Sequence, residues 1–151
     1  MPNAEKPGNF DNFDQSIADM MTKAHEKPDG LPGYFGVRVE EFAPGRLVMA
    51  MDVRKDLVTI MGTLHGGVMA GFVDHTLGCV LYPLMKRGQW AATTEFKLNY
   101  LRAIKTGTLR AESTVLSMGR RSAVIRVDVT NEARLVCVAQ GTLLISDPPK
   151  G

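Results

Sequence analysis

The sequence predicts a single α+β domain in which an antiparallel sheet of about six strands curls around one long helix, with a short helix ahead of it. Three observations carry this. The chain has 151 residues, enough for one domain with a sizeable core. Residues 65–85 form an apolar segment broken only by Asp74 and His75, and its length favours helix over strand. Most of the rest reads as β-rich runs joined by short connections, which imply antiparallel neighbours. A helix apolar on nearly every side must be enclosed, and a curled sheet does that within one domain.

Residues 1–9 are polar and contain Pro and Gly, and read as a flexible leader to a single domain over residues 10–151. From Phe10 to about His25, the apolar residues Phe13, Ile17, Met20, Met21 and Ala24 recur at helical spacing, with Asp11 or Asn12 as the cap. The segment KPDGLPG (27–33) ends that helix and leaves little room for regular structure. Residues 36–42 and 46–53 read as a hairpin turned at Ala43-Pro44-Gly45, and residues 55–64 as a loop. The long helix follows, with Pro83 marking a kink or its end. Four strands complete the chain over residues 90–102, 108–117, 122–131 and 134–146. Leu47 to Met51 and Leu135 to Val138 are apolar on both faces, which predicts a partner subunit covering the sheet and hence a homo-oligomer.

Composition excludes several classes. A net charge of +2 does not suggest a nucleic-acid footprint, although it is compatible with a local basic patch. Cys79 and Cys137 lie far apart in no CxxC, so neither a disulfide framework nor a zinc ribbon is indicated. The charged start MPNAEKPGNFDNFD does not read as a secretory leader, and no apolar run is long enough for a membrane span. The expectation is a cytoplasmic protein. No GxSxG elbow, P-loop or dinucleotide fingerprint is present, and Cys79 has no obvious base in the sequence. Asp74 and His75 point about 100° apart on a helix, and no HExxH or cysteine partner accompanies them, so no metal or other cofactor is expected. His25 reads as a surface residue.

The informative stretch is MGTLHGGVMAGFVDHTLG (61–78). His65-Gly66-Gly67 stands where a loop enters a helix, so the first-turn N–H groups point at whatever lies in front. Gly67, Gly71, Asp74 and Gly78 line one helical face, a stripe of minimal side chains with a carboxylate in it. Desolvation would raise the pKa of such a carboxylate, which suits a general base or nucleophile, and an oxyanion near the Gly66 N–H would be stabilised. Glycine stripes also serve simply to let another backbone approach, and a buried Asp can simply satisfy a neighbouring N–H. The spacing alone leaves both readings open.

Residues 59–74, TIMGTLHGGVMAGFVD, resemble the signature of hotdog-fold acyl-CoA thioesterases of the phenylacetate-pathway (PaaI) type, within the 4-hydroxybenzoyl-CoA thioesterase-like superfamily. Gly62, His65, Gly66, Gly67 and Asp74 fall on that pattern, and the order of elements from about residue 36 to residue 146 is similar too. The resemblance implies hydrolysis of an acyl-CoA thioester, with CoA entering only as part of the substrate. Asp74 would be the nucleophile or general base, Gly66 the oxyanion donor, and His65 a residue that orients the loop or thioester. Gly67 would belong to the substrate site. The site would cross a dimer interface, and such dimers often pair into tetramers. Thr59 stands where the family usually has Asn, and it keeps a hydroxyl while losing the amide's reach. Thr93 or Thr94 would supply a second polar group.

Arg102, Arg120 and Arg121 are candidates for gripping the phosphates of coenzyme A, although a solvated hairpin tip is the better reading of either of the last two alone. The methionines, among them Met49, Met51, Met61, Met69 and Met85, are expected mostly in the core, with some lining an adaptable acyl pocket. Two alternatives stand beside hydrolysis on the same fold. One is a non-catalytic acyl-CoA binding or sensing module; the other is a dehydratase, for which the acidic partner of a catalytic His is not evident.

Overall fold

A computed structural model describes residues 10–149, so the leader expected over residues 1–9 lies outside the described residues. Helix α1 (Gln15–Ala24) starts later than the apolar spacing suggests, and Asp14 rather than Asp11 or Asn12 caps it. The Asp14 carboxylate accepts the Ser16 N–H at 2.9 Å and the Ile17 N–H at 3.3 Å, satisfying two donors of the first turn. Asn12 is used elsewhere: its side-chain amide donates to the Leu84 carbonyl at 2.6 Å. The residues expected to be irregular contain the start of a second helix, α2 (Gly30–Phe35). Pro32 is tolerated because it lies in the first turn, where no intrahelical bond is lost, and Gly36 closes the helix at φ 70°.

Strands β1 (Arg38–Ala43) and β2 (Arg46–Asp52) form the expected hairpin, turned at Pro44-Gly45 with Gly45 at φ 71°. The loop after them contains one short 3-10 turn, Lys55–Leu57. Helix α3 (Gly66–Cys79) stops before Met85, where the long helix was expected to end. A separate 3-10 turn, Tyr82–Leu84, is built around Pro83, whose missing N–H cannot continue an α-helix. Strands β3 (Trp90–Tyr100), β4 (Thr108–Met118), β5 (Ser122–Asn131) and β6 (Arg134–Ser146) match the predicted runs closely.

The six strands form one antiparallel sheet in the order β1-β2-β4-β5-β6-β3, which leaves β1 and β3 at its edges. The sheet wraps α3 as a hotdog fold. Met69, Phe72, Val73 and Leu77 of the helix are buried with Met49, Leu109, Ile125, Val127 and Leu143 of the strands. Leu47 to Met51 are all buried within one chain, because both faces of β2 are already covered. That strand therefore gives no argument for a partner, contrary to expectation. The apolar exposure lies elsewhere, at Ile60, Met61, Tyr100 and Leu101, and at Leu116, Leu135 and Leu144. Among the described residues no helix is long and apolar enough to cross a membrane.

Candidate active site

The start of α3 is built by its own loop. His65 is the cap, and its ring Nδ1 accepts the Gly67 N–H at 2.8 Å. The proton of the neutral ring is thereby assigned to Nε2. The Val68 and Met69 N–H groups both reach the His65 carbonyl. Among the described residues, no hydrogen bond takes up the Gly66 N–H. Its carbonyl is held, because the Tyr100 hydroxyl donates to it at 2.7 Å. Gly66, Thr59, Arg102 and Tyr100 line one cavity of about 450 Å³, together with Thr63 and Met69.

Thr59 works within this loop. Its backbone N–H donates to the Thr63 carbonyl at 2.7 Å, and its hydroxyl oxygen accepts the Met61 N–H at 3.2 Å. Gly62, at φ 76°, closes the turn by donating to the Thr59 carbonyl at 2.9 Å. Ile60 and Met61 are left projecting into solvent at its tip. Met61 is thus outside the core, while Met49, Met51, Met69 and Met85 are in it.

Asp74 is half-buried two turns along the helix, and among the described residues its Oδ1 is buried with no hydrogen-bond partner. A buried carboxylate oxygen left unpaired costs free energy unless it has a use. Asp74 lies eight positions along the helix from Gly66, which is about 12 Å of rise. Within one chain the two cannot act on the same carbonyl.

The glycine stripe divides on inspection. A Cβ on Gly71 would lie 3.0 Å from the Phe35 ring, so this glycine serves the packing of α2 on α3. Gly78 meets only Leu143 at ordinary contact distance, and Gly67 meets the ring of its own cap. The stripe is therefore not a continuous open groove. Thr94 donates its hydroxyl to the Thr142 carbonyl at 3.0 Å beside a bulge in β3, and neither it nor Thr93 lines the cavity with Gly66. Arg120 and Arg121 line a different, larger cavity of about 1040 Å³ with Lys86 and Asp147, so the predicted arginines do not converge within one chain.

Tyr100 was missed in the sequence, and nothing there signals it: it stands 34 residues from Gly66 and reaches it only through the fold. Two further expectations fail beside Asp74. His25 is half-buried, with its Nε2 2.8 Å from the His75 Nε2, and His75 Nε2 is 3.6 Å from the Cys79 Sγ. Cys79 thus has a ring nitrogen beside it after all. Burial pushes the His75 imidazole down to about 4, with His25 adding to this and Asp74 opposing it. Burial also pushes the Cys79 thiol up to about 12, which makes it a poor nucleophile.

The model of the thioesterase superfamily matches residues 61–138, more than half of the chain and the whole span from the loop before α3 into β6. This chain belongs to the thioesterase superfamily. Human acyl-coenzyme A thioesterase 13 is 32% identical over 100 residues, covering 66% of this chain and 71% of that protein. A putative esterase of Haemophilus influenzae is 27% identical over 114 residues, covering 74% and 82%. Among solved structures, a mutant of the phenylacetic acid degradation protein PaaI from Thermus thermophilus superposes with a TM-score of 0.71 at 28% identity, covering 77% of this chain and 98% of that one. A conserved protein from Pseudomonas aeruginosa gives 0.75 at 26% identity, covering 80% and 97%. The chemistry of this thioesterase is thioester hydrolysis. Its Gly66 and Asp74 both lie within the matched segment, as do Thr63, Leu64 and His65 ahead of the helix.

Proposed function

We propose that the protein hydrolyses acyl-CoA thioesters to the free acid and CoA, at a site shared by two copies of the chain. The observation that carries this is the pair of uncommitted groups on one helix. Among the described residues the Gly66 N–H is a free donor beside a cavity at the positive end of α3, and Asp74 Oδ1 is a buried acceptor without a partner. They are too far apart along the helix to serve one carbonyl, so a second copy must bring one to the other. The free edge of β3 and the exposed Ile60, Met61, Tyr100 and Leu101 supply a surface for that copy.

In this reading the thioester carbonyl oxygen rests against the Gly66 N–H, which strengthens its hydrogen bond as negative charge develops. Asp74 of the partner subunit either takes a proton from the attacking water or attacks the carbonyl carbon itself. As base, Asp74 passes that proton to the departing sulfur as the carbon–sulfur bond breaks; as nucleophile, it displaces CoA as a thiolate, and water then hydrolyses the mixed anhydride to the free acid and restores the carboxylate. His65 orients rather than deprotonates, since its Nδ1 is occupied by Gly67 and its Nε2 already carries the proton. Thr59 maintains the loop wall. Thr93 is the better candidate for the second polar group, because the Thr94 hydroxyl is committed to Thr142. Arg102 is assigned to the phosphates of CoA, since it lines the cavity with Gly66. Relatedness to an acyl-coenzyme A thioesterase supports the substrate class.

The test is thiol release from aryl-, short- and long-chain acyl-CoAs by the native protein and by Asp74→Asn. Turnover that collapses in the variant is the expected result. Co-expressing Asp74→Asn with Gly66→Pro then probes the shared site: mixed dimers hold one intact site each, so roughly a quarter of native activity should return. No release from any substrate with binding retained would replace hydrolysis by acyl-CoA binding. A 16.5 kDa monomer in solution would remove the shared site.

A further inference from the structure

The geometry points to a zinc-binding site formed by His25, His75 and Cys79, joining the end of α1 to α3 on residues outside the proposed acyl-CoA machinery. Three observations converge on it. The donor atoms of these residues all lie within 4.8 Å of one another. His75 and Cys79 are one helical turn apart on α3 and share a face, with Sγ 3.6 Å from Nε2. His25, at the C-terminal cap of α1, brings its Nε2 to 2.8 Å from that of His75.

The orientation of His25 is fixed from behind. Its Nδ1 lies 2.7 Å from the Met21 carbonyl, so that nitrogen carries the proton and Nε2 presents a lone pair to the cluster. A ring N–H given to a backbone carbonyl is the usual outer support of a metal-binding histidine. The two Nε2 atoms and the thiol compete as simple hydrogen-bonding groups. His75 Nε2 can give its proton to His25, but it then has no lone pair to receive the Cys79 S–H. Three potential ligands thus point inward with one useful hydrogen bond among them.

The dimensions suit a tetrahedral ion. Zinc bonds of about 2.05 Å to nitrogen and 2.3 Å to sulfur give tetrahedral edges near 3.6 Å for N···S and about 3.3 Å for N···N. The His75–Cys79 edge is already present, and His25 Nε2, within 4.8 Å of the Cys79 Sγ, has to close toward the same length. The N···N edge requires the rings to part by about 0.5 Å, and His25 stands at a helix end where such a movement disturbs no strand. Two imidazoles and a thiolate favour zinc over magnesium or calcium, which take oxygen ligands. Cys79 is buried and both histidines are half-exposed, which leaves the fourth position to water. The ion would clamp α1 against the central helix.

Cobalt(II) added to the chelator-treated full-length protein tests this, because thiolate ligation produces a charge-transfer band in the near ultraviolet and tetrahedral geometry produces intense visible bands. One equivalent showing both features, displaced by zinc, is expected. Outer-sphere losses alone typically weaken metal binding by about 10- to 100-fold. His25→Ala should therefore weaken cobalt binding by more than about 100-fold, and Cys79→Ser should remove the charge-transfer band. The His25→Ala change lies at the end of a surface helix, so the test stands even if Cys79→Ser fails to fold. Binding without the thiolate band, binding unchanged in His25→Ala, or no binding at all would each overturn the site.

Discussion

Replacing Gly66 by proline removes the proposed oxyanion donor while asking almost nothing of the fold. Gly66 is the first residue of α3, the position where proline is favoured, and its N–H makes no hydrogen bond that would be lost. The residue before it, His65, already has φ −65° and ψ 132°, the extended conformation a following proline demands. One contact must give: a Cβ at Gly66 would stand 3.0 Å from the Tyr100 hydroxyl and 3.2 Å from its ring carbon Cζ. The Tyr100 ring, more than half exposed within one chain, has to shift in the proline and alanine variants alike. Losing its hydrogen bond to the Gly66 carbonyl then costs about 1 kcal/mol, or roughly 3 °C in melting temperature for a domain of this size. Gly66→Ala carries the same Cβ but keeps the N–H, so it isolates the steric part. The expected result is a similar small loss of melting temperature in both variants. The alanine variant should retain thioester hydrolysis within about tenfold, whereas the proline variant should fall about 100- to 1000-fold in kcat. Melting curves and thiol-release kinetics on the two proteins decide it. A folded Gly66→Pro enzyme with kcat within a few-fold of Gly66→Ala would refute the assignment of the donor.

Other expectations follow from the same geometry. Asp74→Ala removes a buried carboxylate oxygen that has no partner, so it should raise stability by about 1–3 kcal/mol while abolishing hydrolysis; a lower melting temperature would mean that the carboxylate is structurally satisfied. Glu132 and Ala133 form the β5–β6 turn at φ 50° and 63°, a conformation that costs a non-glycine residue about 1–2 kcal/mol, so Ala133→Gly should stabilise the chain in urea by about 1 kcal/mol, and a destabilised variant would refute it. Thr108 and then Arg38 hold the Asp52 carboxyl below its ordinary 3.8, so its contribution is present above that pH and fades as pH falls through the lowered value. Both side chains of its ion pair are well exposed, so Asp52→Asn should cost no more than about 1 kcal/mol near neutral pH, and acid unfolding should erase the difference between the two proteins. Gly141→Ala would bring a Cβ to 2.6 Å from Phe96 Cβ and 2.7 Å from the Glu95 carbonyl, so denaturation should show a loss of about 1–3 kcal/mol through displaced β3–β6 pairing.

Periodicity and turn chemistry made the sheet, the central helix and the start of the candidate site legible in the sequence. The β1–β2 hairpin could be read because Pro-Gly has few uses other than a turn, and β4 to β6 because their β-rich runs are separated by short polar connections. His65-Gly66-Gly67 could be read because capping is local, a matter of one side chain and the next three N–H groups. Where a longer-range contact competed with local preference, the reading failed. Helix α2 forms through a glycine- and proline-rich segment because Phe35 finds a place against Gly71, and α1 starts late because Asn12 and the Asp14 backbone are drawn to the turn around Pro83. Leu47 to Met51 looked two-faced because a sequence pattern cannot say whether the second face is covered by the chain itself or by another.

The sequence by itself determined which groups exist to do chemistry and the stretch of helix that carries the free N–H and the carboxylate. Only the tertiary structure decided that Tyr100 anchors that helix start, that Arg120 and Arg121 stand in another cavity, and that His25 comes from α1 to meet His75 and Cys79. The reason is distance along the chain. Hydrogen bonds within one turn of helix follow from spacing, whereas partners separated by 34 or 50 residues meet only where the packing of the whole core brings them.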